Sequence, residues 1–198
     1  MPIIDWNSIP GFRDAVERES GRRDAAFLDI NETVGGMSIL PLTPERFLIL
    51  DGISSPFVCG GTPAPEDVAL LLWVCSEEFS PTDRKVRGRF IKSCRKVKFT
   101  QACKDAEKYI QDAFADAPGG GSGGQSYLSW CASMVDIVAS EYHWSERDII
   151  KTPLKRLFQY IRAITMRNNP KAIFFNESER IRSAWLAEKN KQRQAAKN

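Results

Sequence analysis

The chemically capable side chains of this chain are one histidine, five cysteines, an adjacent pair of carboxylates and a dense run of cations. His143 is the single histidine among 198 residues. Multi-histidine metal sites are thereby excluded, and imidazole acid–base chemistry rests on one position. It sits beside Trp144 at the end of an expected helix, and no Gly-x-Ser-x-Gly, His-Glu-x-x-His or Walker-type sequence accompanies it. A capping or packing histidine is the expectation. Cys59, Cys75, Cys94, Cys103 and Cys131 are odd in number and lack CxxC spacing, which fits neither a zinc ribbon nor a redox motif. They read as free thiols of a reducing cytoplasm, four of them (Cys75, Cys94, Cys103, Cys131) as small apolar core residues. Glu77 and Glu78 end a helix without partners that would separate their pKa values. The run Gly119–Gly124 lacks both the Gly-Lys-[Ser/Thr] ending and the preceding strand of a phosphate loop. No catalytic, cofactor-binding or metal residue is assigned, and the expectation is a non-enzymatic protein.

Between Arg84 and Lys98 stand eight cations (Arg84, Lys85, Arg87, Arg89, Lys92, Arg95, Lys96 and Lys98) and no carboxylate. Such a stripe can neutralise phosphates and give salt-dependent nucleic-acid binding. A solvated face, or one that meets an acidic protein, is the commoner outcome. The run Val138–Ile150 has the rhythm of a helix-turn-helix, but its second segment is short and offers chiefly Glu146 and Arg147 to base edges. Packing is the expectation there.

These residues must be held by helices. The chain is 42% apolar and 27% charged with a net charge of +3, an ordinary globular composition. Its near-neutrality is a cancellation between an acidic excess before residue 33 and basic segments at 84–98 and 151–198. The longest apolar run, Val68–Cys75, is too short to cross a bilayer, which needs about 20 residues, and the first residues do not read as a signal peptide. No membrane association is expected. Pro10–Gly11, Gly21 and Gly35–Gly36 break residues 1–36 into an irregular arm. Met37–Pro41 reads as at most a short edge strand. Thr43–Pro44 caps a helix to about Asp51, Pro65 starts a central apolar helix, Ser80–Pro81 caps a basic one, and Thr100–Ala115 forms a fourth. Residues 118–125 read as a flexible linker. Beyond it come a helix through Trp130 to Tyr142, a turn capped by Ser145, a helix after Thr152–Pro153 and a last helix capped by Asn176. The expected class is all-α, with two small helical modules (37–117 and 126–188) and a disordered basic tail (189–198).

Two stretches carry a family likeness. One runs from Val34 to Thr43, through Ile53–Gly61, to Asp67–Ser76. The other runs from Ala139 through Tyr142-His143-Trp144-Ser145 and Ile149-Ile150-Lys151-Thr152-Pro153-Leu154 to about Arg162. Together they resemble the tail assembly chaperones encoded beside tail genes in long-tailed phages and prophages, over about half the chain. The resemblance implies a protein without cofactors that binds the long, hydrophobic, helical tape-measure protein in the host cytoplasm until the tail tube assembles. Phe57, Trp144, Phe158 and Trp185 are the candidate partner contacts. A structural virion component, such as a connector, and a nucleic-acid-binding protein using the 84–98 helix are the alternatives. The oligomeric state is not legible in the sequence.

Overall fold

Gly35 and Gly36 adopt φ angles of +58° and +81°, the pair of left-handed residues that closes a two-residue hairpin compatibly with strand twist. The strands it joins are β1 (Glu32–Val34) and β2 (Met37–Ile39), antiparallel, with Val34 opposite Met37. A Cβ at Gly35 would lie 2.4 Å from Val97 Cγ1 and 2.9 Å from Ala102 Cβ. Only hydrogen fits. The Gly35 amide also donates to Asp105 Oδ2 at 3.0 Å, which pins the turn to a helix.

The computed structural model describes residues 5–28, 30–117, 129–170, 172 and 176–195. Around the hairpin stand α1 (Phe12–Ala25), α2 (Pro44–Gly52), α3 (Pro56–Cys59), α4 (Pro65–Val74), α5 (Arg84–Ser93), α6 (Phe99–Ala113), α7 (Trp130–Tyr142), α8 (Glu146–Lys151), α9 (Leu154–Asn168) and α10 (Glu177–Ala195). The class is all-α. Most starts follow from local chemistry. Thr43 Oγ1 accepts from Arg46 N ahead of Pro44, Ser129 Oγ from Ala132 N, Ser145 Oγ from Asp148 N, and Asn176 Oδ1 from Glu179 N. For α5 the cap is Asp83, whose Oδ1 accepts from Lys85 N and Val86 N. Ser80 acts one turn earlier, accepting from Asp83 N, so the expected Ser80–Pro81 cap moves by three residues.

The expected irregular arm contains α1 and β1. Helix α1 is nearly all polar, so no apolar period announces it. It is supported by the i,i+4 pairs Arg13–Glu17 and Glu19–Arg23 and buries Ala15 completely. The expected disordered tail is likewise helical through Ala195. The expected linker, 118–125, lies outside the described residues.

The two expected modules share one core. Val34, Leu50, Leu71, Leu72 and Tyr109 from the first half pack in a single cluster with Met134, Val138, Ile149, Leu154 and Leu157 from the second. The apolar helix α4 is central, with Val68, Ala69, Leu71, Leu72, Trp73 and Val74 all buried. A backbone bond from Leu154 N to Leu42 O at 2.8 Å and the Phe114–Phe158 ring contact join the halves directly. The sequence shows each half an apolar stripe, but a stripe does not say which partner it meets.

Candidate functional site

The segment just past α6 and the stripe residues of α7 and α9 line a groove of about 350 Å³. Phe158, on the first turns of α9, forms its buried floor. Phe114, just past α6, meets it at a tilt with ring centres 5.7 Å apart and meets Trp130 at 5.9 Å, and Trp130 packs edge-on against Phe47 of α2 at 5.1 Å. Ala117, Met134, Ile137 and Ile161 complete the apolar lining, with Ser133 the polar exception. Trp130 and Ile137 stand at the rim, 39% and 37% exposed. The groove therefore offers aromatic and thioether surface of the kind that accepts the apolar face of a helix.

The four aromatic contacts expected from sequence do not form one surface. Phe158 is buried and lines the groove. Phe57 is half-buried and packs against the core. Trp144 is half-buried in a ring cluster with Tyr142 and Tyr160, at 6.0 and 5.1 Å. Trp185, on α10, packs edge-on against Trp6 at 5.8 Å and lies under Lys189. Phe114, Trp130, Met134 and Ile137, which line the groove, were legible only as core stripe. Their period is the same whether a helix meets the core or a cleft.

The basic residues are placed differently. Arg84, Lys85, Arg87, Arg89, Lys92, Arg95, Lys96 and Lys98 are all exposed, five on α5, two on the turn of 3-10 helix Cys94–Lys96 that follows it, and Lys98 just ahead of α6. None of the eight forms an ion pair among the described residues. The opposite edge, Val86, Phe90, Cys94 and Val97, anchors the segment. Phe90 meets Trp73 at 5.3 Å, Cys94 Sγ approaches Met37 Sδ at 3.8 Å, and Val97 sits over Gly35. Like charges at i,i+3 and i,i+4 recur along this face, and each such pair costs about 0.2–0.5 kcal/mol.

No known protein family, curated protein or solved structure matches this chain. What the arrangement can do therefore rests on its own geometry.

His143 occupies the left-handed position that ends α7, with φ +56° and its amide donating to Ala139 O at 2.8 Å. It is exposed. The helix-turn-helix rhythm serves packing, since α8 is one short helix set against α2 with Ile149 fully buried. Burial pushes the Cys75 thiol up to about 11, although Tyr109 nearby acts in the other direction. Tyr109 itself titrates well above its ordinary value, again chiefly through burial, and its hydroxyl donates to Leu40 O at 2.8 Å. No group of three or more His, Cys, Asp or Glu side chains among the described residues is placed to hold a metal ion. No helix among them is long and apolar enough to cross a membrane.

Proposed function

We propose that the protein is a chaperone of phage tail assembly that holds an apolar helical segment of the tape-measure protein in the groove between α6, α7 and α9. The groove carries this reading. Its lining is apolar except for Ser133, its volume of about 350 Å³ admits two or three large side chains of a docked helix, and its rim exposes Trp130 and Ile137. An isolated tape-measure segment exposes such side chains and aggregates unless they are covered. The stretches that resemble tail assembly chaperones include all of α8 and the first half of α9, and the latter supplies the floor residue Phe158.

Co-expression tests it. The long helical tail protein encoded beside this chain should stay in the soluble fraction when both are made together, and should precipitate when made alone. Ile137→Lys puts a charge at the groove rim without disturbing the core and should abolish the rescue while leaving this chain folded. If the tail protein precipitates equally with and without its partner, the reading fails.

A further inference from the structure

The groove does not use the cationic face of α5, which lies on a different part of the molecule. Ten residues of α-helix and three of 3-10 helix give this face a length of roughly 21 Å. On α5 itself, Arg84, Lys85, Arg87, Arg89 and Lys92 spread over an arc of about 200° at 100° per residue. Arg87 and Arg89 thus point to opposite flanks. A flat acidic protein surface can engage only the half of such a helix that faces it. A groove with anionic walls on both sides engages both flanks.

At the middle of that arc stands Gly88, exposed and inside the helix, where glycine is unfavourable relative to alanine. No packing demands it, because a Cβ there would meet nothing within 4 Å, and its backbone has no positive φ. Three of its four neighbours on the helix surface are Arg84, Lys85 and Lys92, the fourth being Ile91. The missing side chain leaves a notch floored by helix backbone and ringed by cations.

From these features we infer that α5 and the following 3-10 turn bind double-stranded DNA, with the helix lying in the major groove, Arg87 and Arg89 reaching phosphates on opposite strands, and the duplex approaching closest at Gly88. The B-form major groove is about 12 Å wide and admits a helix of about 10–12 Å diameter, whereas the major groove of A-form RNA is too narrow. The segment Arg84–Lys98 contains no Asn or Gln, so it lacks the usual readers of adenine, and any preference between sequences is for guanine, through Arg or Lys. Carboxylates mark the edges. Glu78 lines the depression formed with Val86, Arg89, Phe90 and Ser93, and Asp83 caps the helix start. Glu78 therefore borders the Arg89 flank of the face.

Fluorescence anisotropy of the full chain with a labelled 20-base-pair DNA duplex tests this. Binding at 50 mM salt should weaken about 10³-fold by 200 mM if about six phosphates are contacted. The double variant Arg87→Gln/Lys96→Gln should bind about 60-fold more weakly at 0.1 M salt, roughly eightfold per charge, and should lower the salt slope by about 2. Lys104→Gln/Lys108→Gln, an equal charge loss on the exposed face of α6, should leave affinity within about threefold, a shift smaller than the loss of one phosphate contact. Gly88→Leu should raise the Tm by about 2 °C through helix propensity yet weaken binding at least threefold by filling the notch. No binding at 50 mM salt, equal or tighter binding of an RNA duplex or of polyglutamate, an equal loss in the α6 variant, or undiminished binding by Gly88→Leu overturns the inference.

Discussion

Glu19 is 2% exposed, and its two oxygens accept from Ser178 N at 2.9 Å, Ser178 Oγ at 2.8 Å and Arg23 Nη2 at 3.0 Å. A side chain of α1 thus caps the first turn of α10, where the helix dipole favours a negative charge. Glu19→Ala leaves a guanidinium and a helix-terminal amide short of partners, at a cost of roughly 3–5 kcal/mol. The expected result is selective: amide hydrogen exchange should speed up across α10 and α1 while α4 keeps its protection. Cysteine reactivity is also set residue by residue. Cys59 is exposed, while Cys75 and Cys131 are buried. Alkylation of the native protein followed by peptide mass spectrometry should find Cys59 modified first, with Cys75 untouched until the chain unfolds. The sequence marked Cys75 and Cys131 correctly as core, through their place on apolar stripes. It gave no sign of Glu19, because a buried carboxylate looks like a solvated one until its partners, 159 positions away in the case of Ser178, are known.

At the scale of elements, the caps were the most legible features. Thr43, Ser145 and Asn176 act within three or four residues of themselves, and local chemistry decides them. The hairpin was half legible, since Gly35–Gly36 read as a break and Met37–Ile39 as a possible strand, but β1 needed the register between them. Gly35→Ala combines a left-handed φ with overlap on Val97 and Ala102. It should destabilise by more than about 2 kcal/mol in urea unfolding, and Gly36→Ala by less, about 1–2 kcal/mol from its left-handed φ alone, because nothing lies within 4 Å of a Cβ there. The junction of α1 with α6 and α9 depends on Asp116. Its oxygens accept from Arg22 Nη2 at 2.8 Å, Arg22 Nε at 3.2 Å and Gln159 Nε2 at 3.2 Å, and Arg23 Nε lies 3.7 Å away. Burial by itself would raise this carboxyl, but the hydrogen bond and charge of Arg22, with Arg23 and Gln159, hold it below the usual carboxylate range. A depressed folded value stabilises the protein above the ordinary Asp range and ceases to do so as pH falls through the folded value. Asp116→Asn should therefore cost roughly 1–3 kcal/mol at pH 7 and flatten the loss of stability below about pH 4. In α5, Lys85→Glu exchanges repulsion with Arg89, one turn on, for attraction and puts a negative charge in the first turn, where the helix dipole favours it; it should stabilise the chain by about 0.5–1 kcal/mol in thermal unfolding.

For the molecule as a whole, the single core makes two-module behaviour impossible to recover by cutting. Urea unfolding followed by circular dichroism and by tryptophan fluorescence should give coincident, single transitions. A fragment of residues 1–117 should lack cooperative unfolding, since Leu42 loses the Leu154 amide and Phe114 loses Phe158. All-α class and most helix positions were legible because they depend on local period and capping. The shared core and the groove were not, because each depends on which stripes face each other.

The Glu19–Ser178 cap also constrains when the protein can finish folding. At 5–20 residues per second, the 159 positions between the two take the ribosome roughly 8–30 s to add. During that interval α1, polar and short of apolar contacts of its own, has no α10 to dock on and no carboxylate at Asp116 for Arg22 until about three-fifths of the interval has passed. The first helix to emerge is among the last to acquire its place. Emergence of α10, and not of the segment that carries α1, is the event that closes the structure.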